Sequence, residues 1–123
     1  MIDFNAPDAL SQLNHMTGAD LDRLPYGVVA MAPDGVVEHY NQAESAFSGL
    51  PPERVIGRNF FTEVAPCTNN FMVADKMRDA AELDEIVPYS FSVRMRPTAV
   101  TLRLLRSASA RRMFMLVRWT AAQ

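Results

Sequence analysis

In Tyr89-Ser90-Phe91-Ser92-Val93-Arg94-Met95 every odd position is apolar and every even one is polar or charged. Successive side chains leave an extended backbone on opposite faces, so this period of two describes a strand with one dry face and one wet face. Such a strand needs partners, since two or fewer strands are barely stable in water. The sequence supplies them. Residues 86–95, 99–105 and 113–119 read as three strands, with Arg96-Pro97-Thr98 and Ser107-Ala108-Ser109-Ala110 as connections. Upstream, Gly27-Val28-Val29-Ala30-Met31 and Val36-Val37-Glu38-His39-Tyr40 flank Pro33-Asp34-Gly35, a turn in which proline fixes φ and glycine accepts a positive one.

Helical patterns fill the rest. Residues 7–16 place Ala9, Leu10, Leu13 and Met16 on one face, and residues 19–24 could add a turn before Pro25. A short helix is expected from Asn41 to about Phe47, closed by Gly49. Residues 71–84 carry the longest helical pattern. Strand, strand, helices, then three strands is an α+β layout, a five-stranded antiparallel sheet with helices on one face above a pocket. Residues 1–24 form an acidic N-terminal helical cap, and residues 25–123 the main domain.

Bulk properties narrow the function. With 123 residues, 49% of them hydrophobic, the chain can bury a single core without staples. One cysteine excludes an internal disulfide, and His15 and His39 form no cluster with it for a metal. No apolar run is long enough to span a bilayer, and the first residues lack the basic and apolar regions of a signal peptide, so a cytoplasmic protein without membrane contact is expected. Residues 1–53 hold eight acids and one base, whereas residues 86–123 hold seven arginines and no acid. The arginines fall at strand positions without interleaved lysines, which favours complementarity between the sheet's outer face and the acidic cap over a nucleic-acid surface.

Two places could carry chemistry. If a helix runs from Asn41, Glu44 and Ser48 lie one turn apart on one face and Tyr40 stands just before it. Tyr40 and a protonated Glu44 could then donate to a buried anionic oxygen, with Ser48 donating to Tyr40; burial keeps such a carboxyl neutral. The same residues also make a capping box, Asn41-x-x-Glu44, in which Glu44 turns back to the backbone at the surface. The other place is Cys67. A lone cysteine is commonly a small buried hydrophobe, but Pro66 puts this one on a rigid bend near a helix start, where a thiolate would be favoured. A cysteine hydrolase would need a base, for which only His15 and His39 are available, in no recognisable signature; no glycine-rich phosphate loop is present.

These residues resemble the photoactive yellow protein family over most of the chain. The matching segments are Leu24-Pro25-Tyr26-Gly27-Val28-Val29 with Asp34-Gly35, Tyr40-Asn41-Gln42-Ala43-Glu44, Val55-Ile56-Gly57-Arg58-Asn59-Phe60-Phe61 through Val64-Ala65-Pro66-Cys67-Thr68, and Tyr89-Ser90-Phe91 with Met95-Arg96-Pro97-Thr98. The Tyr40-to-Cys67 spacing equals the family's. The resemblance implies a PAS fold and a non-enzymatic blue-light photoreceptor carrying p-coumaric acid (4-hydroxycinnamic acid) as a thioester on Cys67. It implies that Tyr40 and Glu44 bond the phenolate, that Ser48 replaces the usual threonine, that Phe60, Pro66 and Phe91 border the pocket, and that Met95 influences thermal return. Trans-to-cis isomerisation, proton transfer from Glu44 and loosening of the cap would ensue. The implied partner is a downstream signalling protein that the sequence does not name, with the chain a monomer or weak dimer. This chain departs from the pattern at Leu50, where the family usually has an arginine, in a loop after Cys67 about three residues shorter, and in a dissimilar cap. The alternative is a chromophore-free PAS-type ligand-binding or interaction module.

Overall fold

The structure, a computed structural model, describes residues 2–93 and 95–119. Five strands form one antiparallel sheet: β1 (Gly27–Met31), β2 (Val37–Tyr40), β3 (Leu83–Val93), β4 (Arg96–Arg106) and β5 (Met113–Trp119), in the order β2-β1-β5-β4-β3. Five short helices accompany it: α1 (Ala9–Asn14), α2 (Gly18–Asp22), α3 (Gln42–Ser48), α4 (Pro52–Val55) and α5 (Ala74–Asp79). None is long and apolar enough to cross a membrane.

The expected alternation in β3 is present, with odd positions from Leu83 to Val93 turned inward and even ones exposed. β3 is an edge strand, which is where Pro88 can sit without breaking a second ladder. β1 lies beside β5 near the middle of the sheet, and all five of its residues are buried because both sheet faces are covered. On one face, α3, α4 and α5 enclose a core built on Phe60, Phe61, Met77, Leu102 and Met115. On the other face α1 and α2 pack Leu13 and Leu21 against Val28, Ala30, Phe114 and Leu116.

Two boundaries differ from the sequence reading. The helical pattern over 71–84 yields a helix only at Ala74–Asp79. Asn70 Oδ1 accepts from the amides of Met72 and Val73, holding a tight turn ahead of it, and the chain is drawn into β3 from Leu83, which pairs with Arg106. The segment Arg96-Pro97-Thr98 belongs to β4: Val93 pairs with Arg96, so the connection is a tight one just ahead of it, with Met95 at φ 65. Pro97 stands opposite Ser92 of the edge strand β3, close to the turn end of that ladder.

The arginines hold the cap, but mainly by its carbonyls. Arg103 Nη1 donates to the carbonyls of Phe4 (2.9 Å) and Ala6 (2.7 Å) while its Nε and Nη2 clasp Asp84. Arg112 donates to the Met16 carbonyl, and Arg118 lies over the Phe4 ring. Two of the cap's own acids are engaged elsewhere, Asp20 by Arg23 and Asp22 by His39. The expected charge complementarity is thus largely an arginine-to-carbonyl arrangement.

Candidate functional site

The segment after β2 builds one side of the site. Asn41 caps α3, its Oδ1 accepting from the Glu44 amide (3.1 Å) and the Val28 amide (2.8 Å). Its Nδ2 donates to the carbonyls of Leu21 and Tyr26, so this fully buried amide ties the cap, β1 and α3 together. Gly49 closes the helix in the left-handed conformation, φ 79. Half of the capping box therefore forms. Glu44 does not complete it, because its side chain turns into the interior and is 2% exposed. Gly27 makes room for it, since a Cβ there would collide with Glu44 Oε1.

Burial pushes the Glu44 carboxyl up to about 7, against opposing hydrogen bonds from Trp119 and Tyr40 that hold it lower than burial alone would. Burial also raises the Tyr40 phenol, as does the neighbouring carboxylate form of Glu44. The Tyr40 hydroxyl donates to Ser48 Oγ at 2.8 Å, the reverse of the expected direction, and Ser48 Oγ also accepts from the Leu50 amide. In its neutral form this buried carboxyl is a donor facing the cavity, and the phenol becomes a second one when its O–H turns from Ser48 Oγ.

The other side of the site comes from the turns after α4. A π-type turn at Phe60–Val64 and a tight 3₁₀ turn at Pro66–Thr68 carry Cys67. The expected helix start is this single 3₁₀ turn, with α5 beginning only at Ala74. The bend is fixed by the Cys67 carbonyl, which accepts from the Tyr89 hydroxyl and from Asn70 Nδ2. Cys67 itself is exposed. A cavity of about 500 Å³ runs between the two sides, within the usual span of small-molecule sites, roughly 300–1,000 Å³. Tyr40, Glu44, Ser48, Phe60, Pro66, Cys67 and Phe91 all line it, and so does Leu50.

One expected site residue lies elsewhere. Met95 is 98% exposed at the tip of the β3–β4 turn and does not border the cavity. The two histidines also stand apart: His39 bonds Asp22 and His15 bonds the Ser11 carbonyl. Sequence reasoning missed Trp119, which reads as a core tryptophan among solvated arginines. Its Nε1 donates to Glu44 Oε1 at 2.8 Å, and its ring stacks on Phe47 and meets Phe91 edge-on. No local spacing announces a contact between residues 75 apart in sequence.

The cavity suits a small aromatic molecule: aromatic walls, a thiol at one side, and at the other a neutral carboxyl beside a phenol that can be redirected from Ser48. Comparison with known proteins identifies the family. The family model described as PAS fold matches residues 21–119. The photoactive yellow protein of Rhodothalassium salexigens is 32% identical over 110 residues, which are 87% of this chain and 88% of that protein. The photoactive yellow protein of Halochromatium salexigens is 31% identical over the same shares. Among solved structures, the photoactive yellow protein domain from the sensor histidine kinase Ppr of Rhodospirillum centenum has a TM-score of 0.80 at 38% identity, covering 89% of this chain and 98% of that one. The LOV protein of Rhodobacter sphaeroides shares the fold alone, with a TM-score of 0.67 at 13% identity, covering 96% of this chain and 70% of the other. With these residues and these relatives, the chain belongs to the photoactive yellow protein family and has the PAS fold.

Proposed function

We propose that the protein is a non-catalytic blue-light photoreceptor that carries p-coumaric acid as a thioester on Cys67. The observation that carries this reading is the single cavity shared by Cys67, Tyr40 and Glu44. When bound, the p-coumaroyl group supplies light absorption and a trans-to-cis isomerisation. The chain's residues do the rest. Cys67 provides the exposed thiol that displaces the leaving group of an activated acyl ester, while the anchored Cys67 carbonyl fixes the bend. Tyr40, its O–H turned from Ser48 Oγ, and protonated Glu44 donate to a phenolate oxygen at the buried end, and Phe60, Pro66 and Phe91 wall the pocket. Proton loss from Glu44 leaves a buried charge, a costly state that favours rearrangement around it.

Residues 1–24 are the element we expect to loosen. Asn41 bonds both the helix that carries Glu44 and the Leu21 carbonyl of the cap, which gives the two a shared joint. The receptor would act in the cytoplasm, as a monomer or weak dimer, on a downstream signalling protein rather than on nucleic acid or membrane. A chromophore-free module would be favoured by a filled pocket and a solvent-facing Glu44; the open cavity and buried carboxyl count against it.

The test is reconstitution. Incubating the purified chain with an activated p-coumaric ester should give a mass adduct on Cys67 and an absorption band in the blue, both lost in Cys67→Ser. Absence of both in the wild type, or their survival in Cys67→Ser, would overturn the assignment.

A further inference from the structure

Trp119 holds one oxygen of Glu44, the only acid among the described residues that line the cavity. Its Nε1–H reaches Glu44 Oε1 at 2.8 Å in a buried setting, and Phe47 and Phe91 pin the indole from two sides. An oxygen that accepts an N–H bond is the carbonyl-like one, so the proton of the neutral acid belongs on Oε2. The bond therefore orders the carboxyl: Oε1 is occupied by the indole and the acidic O–H is left for Tyr40 or a ligand. After proton loss the same N–H becomes a charge-assisted donor to the carboxylate, a stronger bond than before.

We propose that Trp119 is a positioning residue for this site, orienting the Glu44 carboxyl before proton transfer and stabilising its anion afterwards. The role after transfer rests on the chromophore reading above; the orienting role does not. Trp119 thereby supplies polar support to a cavity whose wall includes Leu50, which has no side-chain donor. The surroundings leave few competitors. β1 carries no charged side chain, Glu38 and His39 of β2 are engaged by Arg111 and Asp22, and Arg118 of β5 lies over Phe4 on the cap face. Tyr40 and Cys67 are the other titratable groups among the described residues that line the cavity.

Trp119 is the chain's single tryptophan, so its indole N–H gives one unambiguous signal in a ¹H–¹⁵N spectrum of the unloaded protein. That signal should shift with pH through a midpoint close to that of Glu44, and the shift should vanish in Glu44→Gln. In Trp119→Phe, which keeps an aromatic ring, the protonated Glu44 carbonyl stretch in the infrared should rise and the acid dissociation constant of Glu44 should fall about tenfold, the effect of one hydrogen bond to a charged group. An indole signal that ignores pH, or that titrates alike in Glu44→Gln, overturns the proposal, as does an unchanged Glu44 titration in a folded Trp119→Phe. The nuclear magnetic resonance arm needs no tryptophan variant to fold. A failure to form the Cys67 adduct would instead remove the chromophore reading and leave these measurements standing.

Discussion

On the cap face of the sheet Leu13, Leu21, Phe114 and Leu116 are wholly buried and hydrocarbon meets hydrocarbon. On the opposite face Phe60, Phe91 and Trp119 stop short of filling the space, and a carboxyl and a phenol face the gap. The same five strands support both arrangements. The difference lies in the segments laid against each face: α1 and α2 pack apolar side chains onto the sheet, whereas α3 presents Glu44 and the turns after α4 present Cys67. One face supplies stability and the other gives some up for a buried acid and an open volume. That contrast can be tested by truncating an aromatic on each side. Phe114→Ala, in the packed face, should cost about 3–5 kcal/mol. Phe91→Ala borders an existing void and loses fewer contacts, so about 2 kcal/mol is expected. Urea unfolding of the two variants reads the difference. Equal costs would mean that the cavity face is as tightly filled in solution as the cap face.

The buried acid gives the cavity face a pH signature of its own near neutrality. Glu44 is held up to about 7 in the folded chain, chiefly by burial, against an ordinary value of 4.5. Between those values the folded state keeps a proton that the unfolded chain has lost. Stability therefore falls as pH rises across this window and is level above it, by about 3 kcal/mol in all. Glu44→Gln removes the titrating group, so urea midpoints of the unloaded variant should lose this slope between pH 4.5 and 7. A slope of equal size in wild type and Glu44→Gln would place its origin in another group.

Legibility in the sequence tracks the range of the interactions. The first hairpin and α3 rest on local chemistry: Gly35 at φ 93, the Asn41 cap, Gly49 at φ 79. The expectation that Cys67, Tyr40 and Glu44 share one site came from resemblance, and the geometry brings them to one cavity. Long-range outcomes were not legible. The helical period over 71–84 continues past Asp79, but pairing of Leu83 with Arg106 claims the chain for the sheet. Met95 fits the alternation of β3, yet the tight connection to β4 puts it at positive φ and out in solvent. The charge asymmetry suggested acid–arginine contacts across the cap. Carbonyls took most of that role, and a carbonyl is present at every residue and leaves no trace in the sequence.

Arg103 is where those carbonyls matter most, and it gives the smallest of the three effects. Its side chain is 5% exposed while that of Asp84 is 52% exposed, so the ion pair itself is partly screened by water. The bonds to the Phe4 and Ala6 carbonyls pin the start of the chain to β4. Arg103→Met keeps the stem and removes those bonds; the Phe4 carbonyl is buried and rejoins water only if the first residues shift, so a global loss of about 1–2 kcal/mol is expected. The local effect should be clearer. The Ala6 amide, bonded to the Asp3 carbonyl, should exchange about tenfold faster, because opening of the first residues no longer breaks the Arg103 contacts. An unchanged Ala6 amide beside a lower global stability would make Arg103 a sheet contact and not a latch. The Glu44 titration in the same variant then decides whether the two faces are separable. If it stays fixed, the cap can open at its first residues without disturbing the acid. If it moves, the faces are coupled, and Asn41, bonded to Leu21 on one side and to the Glu44 amide on the other, is the joint through which that coupling runs.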